Sequence, residues 1–203
     1  MLRAMRYPKS IQTLIELFTQ LPTVGPKTAE RYVFYLLKKS PEELKRLAEA
    51  IIYLQSDIAI CENCLATIEK GTCPVCSDTK REASLLCVVA DTRDMLAIES
   101  TNLYKGLYHI LGGELNAIEG IKPDSLSIKP LLEKFKNGKI REVILALNPT
   151  LEGETTSMYL SKLIKAYPGI KITRLARGLP AGADIEYADE MTLGNSLRFR
   201  SEL

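Results

Sequence analysis

Two pairs of cysteines are the feature whose residue types and spacing most directly predict chemistry. Cys61 and Cys64 form one Cys-x-x-Cys turn, and Cys73 and Cys76 form a second turn after eight intervening residues. Each turn places two thiolates on one side of a tight loop, so two facing turns make the tetrahedral four-sulfur cage that Zn²⁺ prefers. Because four protein ligands close the cage, we expect one structural Zn²⁺ per chain and not a catalytic metal.

Two structural disulfides or an iron–sulfur centre are the other interpretations of these cysteines. Disulfides are less favoured because residues 1–9 are followed by no apolar signal segment, so we expect a cytoplasmic chain in a reducing compartment. Cys87 lies in an apolar run and is predicted to be a core residue, not a fifth ligand. His109 is the only histidine, and we expect it to be packed in a strand.

Charge is distributed unevenly along the chain. The net charge is only +2, but residues 1–46 hold nine Lys and Arg against four Asp and Glu, and the remainder is slightly acidic. A basic N-terminal module on a neutral or acidic body is expected to hold a polyanion at that end, with a solvated helical surface as the alternative. The longest apolar runs are only a few residues long, too short for a membrane span.

Two helices joined by a tight turn are predicted near the start of the chain. Apolar residues from Ile11 to Leu21 recur at helical spacing, and this helix must end near Pro22. Gly25 then turns the chain. Pro26 begins a second helix at the N1 position that proline favours.

The turn before this second helix has the features of a phosphate-binding site. A glycine turn aims free backbone N–H groups and the positive end of the helix dipole outward. Lys27 and Arg31, one turn apart on one face, add side-chain charge. The candidate DNA contacts are therefore Gly25, Lys27, Thr28 and Arg31, and the alternative is an αα-hairpin that only packs.

This stretch resembles the helix-hairpin-helix motif, a sequence-independent reader of the DNA backbone. The motif pattern is Pro-Gly-hydrophobic-Gly, and here Thr23 replaces the first glycine. That departure weakens the match, because a β-branched residue does not adopt a left-handed backbone cheaply.

The rest of the chain changes from helices to alternating strands and helices. A capping box from Ser40 to Glu43 starts a third helix, predicted to include Ile58 and to reach the first cysteine pair. Beyond Cys76, short apolar runs alternate with helical patterns, which predicts a parallel sheet in a three-layer arrangement. The predicted strands are residues 85–90, 106–111, 142–147 and 170–175, and the predicted helices are residues 91–100, 130–136 and 155–166.

Two stretches lie where predicted strands end, the place where ligands bind α/β sheets. Residues 88–94 and 148–154 resemble the two signature motifs of the Toprim fold. In catalytic Toprim proteins a Glu ends the first strand and an Asp-x-Asp ends a later one, and these carboxylates hold Mg²⁺ for phosphoryl transfer. Those positions hold Ala90, Asn148 and Thr150 here.

Two acidic residues of the second motif remain, Glu152 and Glu154, but neither stands in a metal-binding position. We therefore predict that the domain has no catalytic residues and does no metal-assisted cleavage. The loop from Glu152 to Glu154 is instead a candidate surface for a basic partner.

The ordered set of helix-hairpin-helix, four-cysteine knuckle and Toprim domain resembles the RecR family of bacterial recombination mediators over essentially the whole chain. The resemblance includes the stretch from Asn148 to Glu154 and the tail from Gly178 to Asp189. It implies a non-enzymatic DNA clamp in recombinational repair, assembled as a homo-oligomeric ring, a tetramer or a dimer. It also implies action with RecO and RecF to load RecA at gapped DNA.

The expected fold is multidomain, α plus α/β. The expected parts are a helix-hairpin-helix domain at 1–58, a zinc knuckle at 59–80, a Toprim domain at 81–177 and a C-terminal loop and arm at 178–203.

Two other functions stay open. A Mg²⁺-dependent Toprim nuclease or primase-like enzyme would need Glu152, Glu154 and Asp91 to rebuild a metal site. A zinc-containing nucleic-acid-binding scaffold is the second. The absence of Trp argues against an aromatic stacking platform, although nine Tyr leave that function open.

Overall fold

The computed structural model describes residues 7–200 and 202. Residues 1–6 lie outside this range. They include Arg3 and Arg6 of the basic N-terminal stretch, and most of residues 1–9, where a signal segment was considered. Residues 201 and 203 of the predicted arm also lie outside it. The chain divides into two compact units between Asp57 and Ile58. Among the described helices, none combines the length and apolarity needed to cross a membrane.

The first unit consists of three helices, α1 (Lys9–Thr19), α2 (Pro26–Leu36) and α3 (Pro41–Tyr53). Helices α1 and α2 form the predicted hairpin, with Ala29 and Val33 of α2 buried. Phe18 and Tyr32 meet edge to face with ring centroids 6.0 Å apart, the geometry that aromatic pairs favour. The predicted pair of helices joined by a tight turn is therefore confirmed.

Helix α3 begins at the predicted capping box and ends earlier than predicted. The Glu43 amide donates to Ser40 Oγ at 3.2 Å, and the Ser40 amide donates to Glu43 Oε2 at 3.0 Å. The predicted extension of this helix through Ile58 is wrong. Strand β1 (Ile58–Ile60) instead pairs antiparallel with β2 (Thr67–Glu69), because tertiary pairing overrides the local helical periodicity of this β-branched segment.

The second unit is built around the predicted parallel sheet. Its strands are β3 (Glu82–Val89), β4 (Gly106–Ile110), β5 (Glu142–Leu145) and β6 (Lys171–Arg174). They lie in the order β4-β3-β5-β6, and every neighbouring pair is parallel. The flanking helices are α4 (Thr92–Ser100), α5 (Ile128–Phe135) and α6 (Leu151–Ile164).

Two separate cores cover the two faces of this sheet. Because successive strand residues point to opposite faces, Leu86 and Val88 face one core while Cys87 and Val89 face the other. The first core is closed by helices α5 and α6, and the second by α4 and the four-cysteine segment. Cys87 is buried in that second core, as predicted.

His109 is packed within the unit, as its position in a strand predicts. Its side chain is fully buried, and Nε2 lies 2.7 Å from the carbonyl oxygen of Ser127. Burial lowers the pKa of His109 to about 4, so the imidazole is neutral at physiological pH.

The C-terminal segment differs from the predicted loop and arm. Residues Glu190–Arg198 form a helix, α7, and Asp189 caps it by accepting the Thr192 amide at 2.9 Å. The capping residue was a helix-start signal that the sequence analysis did not use. Gly194 within the segment favoured a loop, but one glycine costs a helix only about 1 kcal/mol.

Candidate metal centre and nucleic-acid interface

The four cysteines converge on one point. Cys61 Sγ lies 3.8 Å from Cys76 Sγ, and Cys64 Sγ lies 3.7 Å from Cys73 Sγ. All four sulfur atoms lie within 4.8 Å of one another. A tetrahedron with metal–sulfur bonds of about 2.3 Å has sulfur–sulfur edges of about 3.8 Å. The four cysteines could therefore hold a metal ion, and their spacing is compatible with zinc.

The structure contradicts the disulfide interpretation, because Cys61, Cys64, Cys73, Cys76 and Cys87 are all free thiols. Among the described residues, the four-cysteine cluster is the one group of His, Cys, Asp and Glu with metal-binding geometry. Cys87 is not part of it, in agreement with its prediction as a core residue.

Backbone hydrogen bonds shape the first cysteine turn. The Cys61 amide donates to the carbonyl of Ala66 at 2.9 Å, and the Leu65 amide donates to the carbonyl of Cys61 at 2.9 Å. Leu65 has a left-handed backbone with φ of 66°, a conformation that costs about 1–2 kcal/mol in a residue with a Cβ. The strained residue therefore lies directly after Cys64, where the turn ends.

The cysteine segment is attached to the sheet at several points. The amide of Ile110, the last residue of β4, donates to the carbonyl of Cys64 at 2.8 Å. Lys134 Nζ of α5 donates to the Asn63 carbonyl at 2.5 Å and to Asn63 Oδ1 at 3.0 Å. These contacts make the segment part of the second unit, where it forms one wall of the core.

The thiol pKa values reflect four acidic groups in one cage. Burial raises the pKa of Cys61, but hydrogen bonds from the backbone amides of Cys64 and Asn63 outweigh it and bring the pKa down to about 7. Burial raises the pKa of Cys76 to about 11 and raises that of Cys64 as well. A bound divalent cation is the group that would allow all four sulfurs to be thiolates.

The carboxyl edge of the sheet, where a catalytic Toprim domain holds its metal, is arranged differently. Ala90 is buried at the end of β3 and offers no ligand atom. Asp91 is used as the N-cap of α4, accepting the amides of Arg93 at 2.7 Å and Asp94 at 3.1 Å. The side chain of Arg93 also forms an ion pair with this carboxylate. The charge of Asp91 is therefore already balanced by a cation of the chain itself.

Glu114 is a residue of this edge that the sequence analysis missed. It follows β4, and its Oε1 accepts the Asn148 amide at 3.0 Å and the Asn148 side-chain amide at 3.4 Å. Its place at this edge could be expected, because Glu114 follows the paired glycines at the end of a predicted strand, but its contact with Asn148 could not. The carboxylate thus fixes Asn148 by hydrogen bonding, where a catalytic relative would use a metal.

The second Toprim stretch forms the start of α6. Thr150 is the N-cap and accepts the Gly153 amide at 3.2 Å. A Cβ at Gly153 would overlap the backbone carbonyl oxygen of Asn148, so only glycine fits. Glu154 pairs with Arg174 and Arg177, and Glu152 is partly exposed.

The predicted DNA-contacting residues lie together at the start of α2. Gly25 is the N-cap, and Gly25, Lys27 and Arg31 are exposed while Thr28 is partly buried. Within the described residues, the amides of Gly25 and Lys27 have no acceptor, and Lys27 and Arg31 have no acidic partner. This arrangement presents two backbone donors and two cations on one exposed turn.

Thr23 occupies the left-handed backbone that the hairpin requires, with φ of 65°. The turn therefore keeps the geometry of the glycine-containing motif despite the substitution. The cost is about 1–2 kcal/mol of local strain.

Comparison with protein families accounts for most of the chain. The model of the RecR helix-hairpin-helix matches residues 11–54, the Toprim domain model matches residues 84–176, and the RecR C-terminal model matches residues 178–201. Curated relatives match along the whole length. A recombination protein RecR from Bifidobacterium adolescentis is 46% identical over 197 residues, covering 97% of this chain and 98% of the relative.

A second relative, a recombination protein RecR from Staphylococcus aureus, is 43% identical over 199 residues, covering 98% of this chain and all of the relative, 100%. This chain belongs to the RecR family. The RecR helix-hairpin-helix model spans the four candidate DNA contacts, and the Toprim model spans the altered edge from Ala90 to Glu154. The predicted family and fold class are thereby confirmed.

Proposed function

We propose that this chain is a non-enzymatic DNA-binding clamp of recombinational repair, which acts with RecO and RecF to help load RecA at gapped DNA. The observation that carries the proposal is the exposed turn at the start of α2. Its amides at Gly25 and Lys27 and the side chains of Lys27 and Arg31 are exposed donors and cations of the kind that bind backbone phosphates. Thr28 lies in the same first helical turn.

The altered Toprim edge supports a binding role and not a catalytic one. The three positions that carry metal-binding acids in catalytic Toprim domains are Ala90, Asn148 and Thr150. Two of the remaining acids are engaged otherwise, since Asp91 caps α4 and Glu154 pairs with two arginines, which leaves Glu152 as a single carboxylate. A hard cation such as Mg²⁺ needs several convergent oxygen ligands.

A structural Zn²⁺ in the four-cysteine cluster is part of this proposal. Cys61, Cys64, Cys73 and Cys76 would supply four thiolate ligands, which leaves no open position for a substrate. The ion would hold the segment that covers one face of the sheet, and its contribution would be to folding.

Self-association is the last part of the proposal. On α3, Ile51 and Ile52 are 63% and 69% exposed, and Met191 and Leu197 of α7 are exposed as well. Apolar residues exposed in patches mark interaction surfaces. A ring of subunits would bind DNA more tightly than one subunit does. Once one subunit contacts the DNA, the effective concentration of the other phosphate-binding turns near it is high.

DNA binding is tested with the double variant Lys27→Ala, Arg31→Ala on a gapped duplex. Loss of two phosphate contacts should make the slope of log K against log [salt] shallower by about 1.8 per subunit, at about 0.9 per contact. The matched control is Lys38→Ala, Arg46→Ala, two exposed cations of the same unit. Sedimentation of wild type with and without the duplex measures assembly in the same samples.

Equal slope changes in the two double variants would mean that the turn is not the DNA site. A mass of one chain under every condition would contradict the ring. Mg²⁺-dependent cleavage of the duplex by wild type, lost in Glu152→Ala, would replace the clamp by the enzyme alternative.

A further inference from the structure

A groove runs along the free edge of the sheet, between strand β6 and helix α6. Its volume is about 520 Å³. The residues that line it include Met158, Lys162, Lys165, Ile172 and Arg174. Glu154, which also lines the groove, belongs to the altered Toprim edge, but the residues just named do not, and none of them belongs to the hairpin turn or the cysteine cluster.

The backbone of β6 offers hydrogen-bonding groups along this groove. The Lys171 amide donates to the Arg141 carbonyl at 2.8 Å, so Lys171 and Thr173 face β5. Alternate residues of a parallel strand point their backbone groups to opposite sides, so those of Ile172 and Arg174 point away from the sheet. Within the described residues, no other strand pairs with this edge. An open edge of this kind accepts an extended peptide as an added strand.

The side-chain charges that line the groove favour an acidic peptide. Lys162, Lys165 and Arg174 are exposed, and Glu154 is the acidic residue of the lining. Glu154 is paired with both Arg174 and Arg177. The lining of the groove is therefore net positive.

We propose that this groove binds an acidic, extended segment of a partner protein, which pairs with β6 as an additional strand. Lys162 and Lys165 would contact its carboxylates, while Met158 and Ile172 would pack against its apolar side chains on the same face of the added strand. Nucleic acid shares the negative charge, but it has no backbone amides to pair with a strand edge. The inference goes beyond the proposed DNA clamp and does not depend on it.

The test uses the full chain and a fluorescein-labelled peptide, Gly-Val-Thr-Asp-Thr-Val-Thr-Asp-Gly, in which Val and Asp lie on the same face of the extended strand, with binding followed by fluorescence anisotropy. The expected result is saturable binding that weakens about tenfold in Lys162→Glu, Lys165→Glu, because two attractive rim charges become repulsive. The matched control is Lys122→Glu, Lys139→Glu, which changes net charge equally at exposed positions away from the groove. The control should change binding less than about twofold, since screening limits distant charges.

Two further peptides test how the segment binds, whatever the variants do to folding. Replacing the valine at the sixth position of the peptide by proline removes a backbone N–H and should abolish binding, as should replacing each Asp by Lys. Unchanged affinity of the proline peptide would overturn strand pairing. Displacement of the peptide by single-stranded DNA of nine nucleotides, with the same loss in Lys162→Glu, Lys165→Glu, would make the groove a nucleic-acid site and overturn the proposal.

No binding by wild type would overturn the proposal as well. A lower oligomer mass in Lys162→Glu, Lys165→Glu, with the control pair unaffected, would show that a second copy of this chain occupies the groove. The DNA-binding test at Lys27 and Arg31 is independent of each of these outcomes, so the two proposals fail separately.

Discussion

The four-cysteine cluster and the carboxyl edge of the sheet lie in the same compact unit, and each carries a sequence pattern known from metal sites. In the cluster, four sulfur atoms lie within 4.8 Å of one another. At the edge, the positions expected to carry acids hold Ala90, Asn148 and Thr150, and the carboxylates of Asp91, Glu114 and Glu154 take part in other interactions. The cluster therefore holds a full set of four ligand residues, whereas the edge lacks the acids that its pattern would need.

The difference shows what each region needs in order to stay folded. At the edge, Glu114 fixes Asn148, Thr150 caps α6, and Asp91 caps α4. Hydrogen bonds therefore close this part of the fold without a cation. In the cluster, Cys64 is fully buried and a buried thiolate is costly without a partner. We infer that the cluster depends on a metal and the edge does not.

The largest expected effect follows from breaking the cluster with Cys64→Ser. Structural zinc contributes on the order of 10 kcal/mol of apparent binding free energy in small metal-held folds. Loss of a ligand should therefore release the metal and unfold the segment that covers one face of the sheet. Metal content by elemental analysis and thermal unfolding by circular dichroism measure the two consequences, and removal of the metal by a chelator should reproduce both.

Cys87→Ala is the matched control, because Cys87 is buried in the same core but lies outside the cluster. It should keep about one metal per chain and lose only about 1 kcal/mol of stability from the removed sulfur. If both variants lose the metal equally, the four-cysteine assignment is wrong. If the chelated protein keeps its melting temperature, the metal is not structural.

The next effect concerns the edge, where Gly153→Ala tests whether backbone packing replaces the metal. The added methyl group would overlap the carbonyl oxygen of Asn148, so the start of α6 must shift. We expect a loss of about 3 kcal/mol in the free energy of unfolding, the upper end of the usual overpacking range. Denaturant titration measures it.

Gly194→Ala serves as the control for this substitution. Nothing lies within 4 Å of an added Cβ at Gly194, which is inside α7. The replacement should leave stability unchanged or raise it by up to about 1 kcal/mol. An equal loss in the two variants would remove the special role assigned to Gly153.

Sequence reasoning identified the cysteine cluster well because its four residues lie close together in the chain. The spacing of Cys61, Cys64, Cys73 and Cys76 fixes which atoms can converge. Apolar strands bounded by polar ends likewise predicted the parallel sheet, whose strand periodicity is short-range information. The altered Toprim positions could be read from residue type alone.

The interactions that were missed depend on contacts between distant residues. Glu114 lies 34 residues before Asn148, and no local pattern links them. The false extension of α3 through Ile58 has the same origin, since Ile58 pairs with Glu69 across the cysteine turn. Glu154 was read as part of an acidic loop because Arg174 and Arg177 are about 20 residues away in sequence. Local periodicity carries no information about such pairs.

The smallest expected effect follows from placing acidic ligands at the edge of the sheet. The triple variant Ala90→Glu, Asn148→Asp, Thr150→Asp places acids at the three Toprim positions, and three convergent carboxylates can hold Mg²⁺. At ten times its dissociation constant, a cation that binds only the folded state adds about 1.4 kcal/mol to the free energy of unfolding. Denaturant titration with Mg²⁺, at constant ionic strength, should show this gain in the triple variant and none in wild type.

The neutral variant Ala90→Gln, Thr150→Asn retains Asn148 and nearly the same side-chain volumes as the triple variant, so it separates charge from packing. It should not respond to Mg²⁺, because amide oxygens alone bind a hard divalent cation weakly. A wild-type gain equal to that of the triple variant would mean that Asp91, Glu152 or another nearby acid already forms a cation site. In that case the edge would resemble the cysteine cluster after all, and the enzyme alternative would regain its basis.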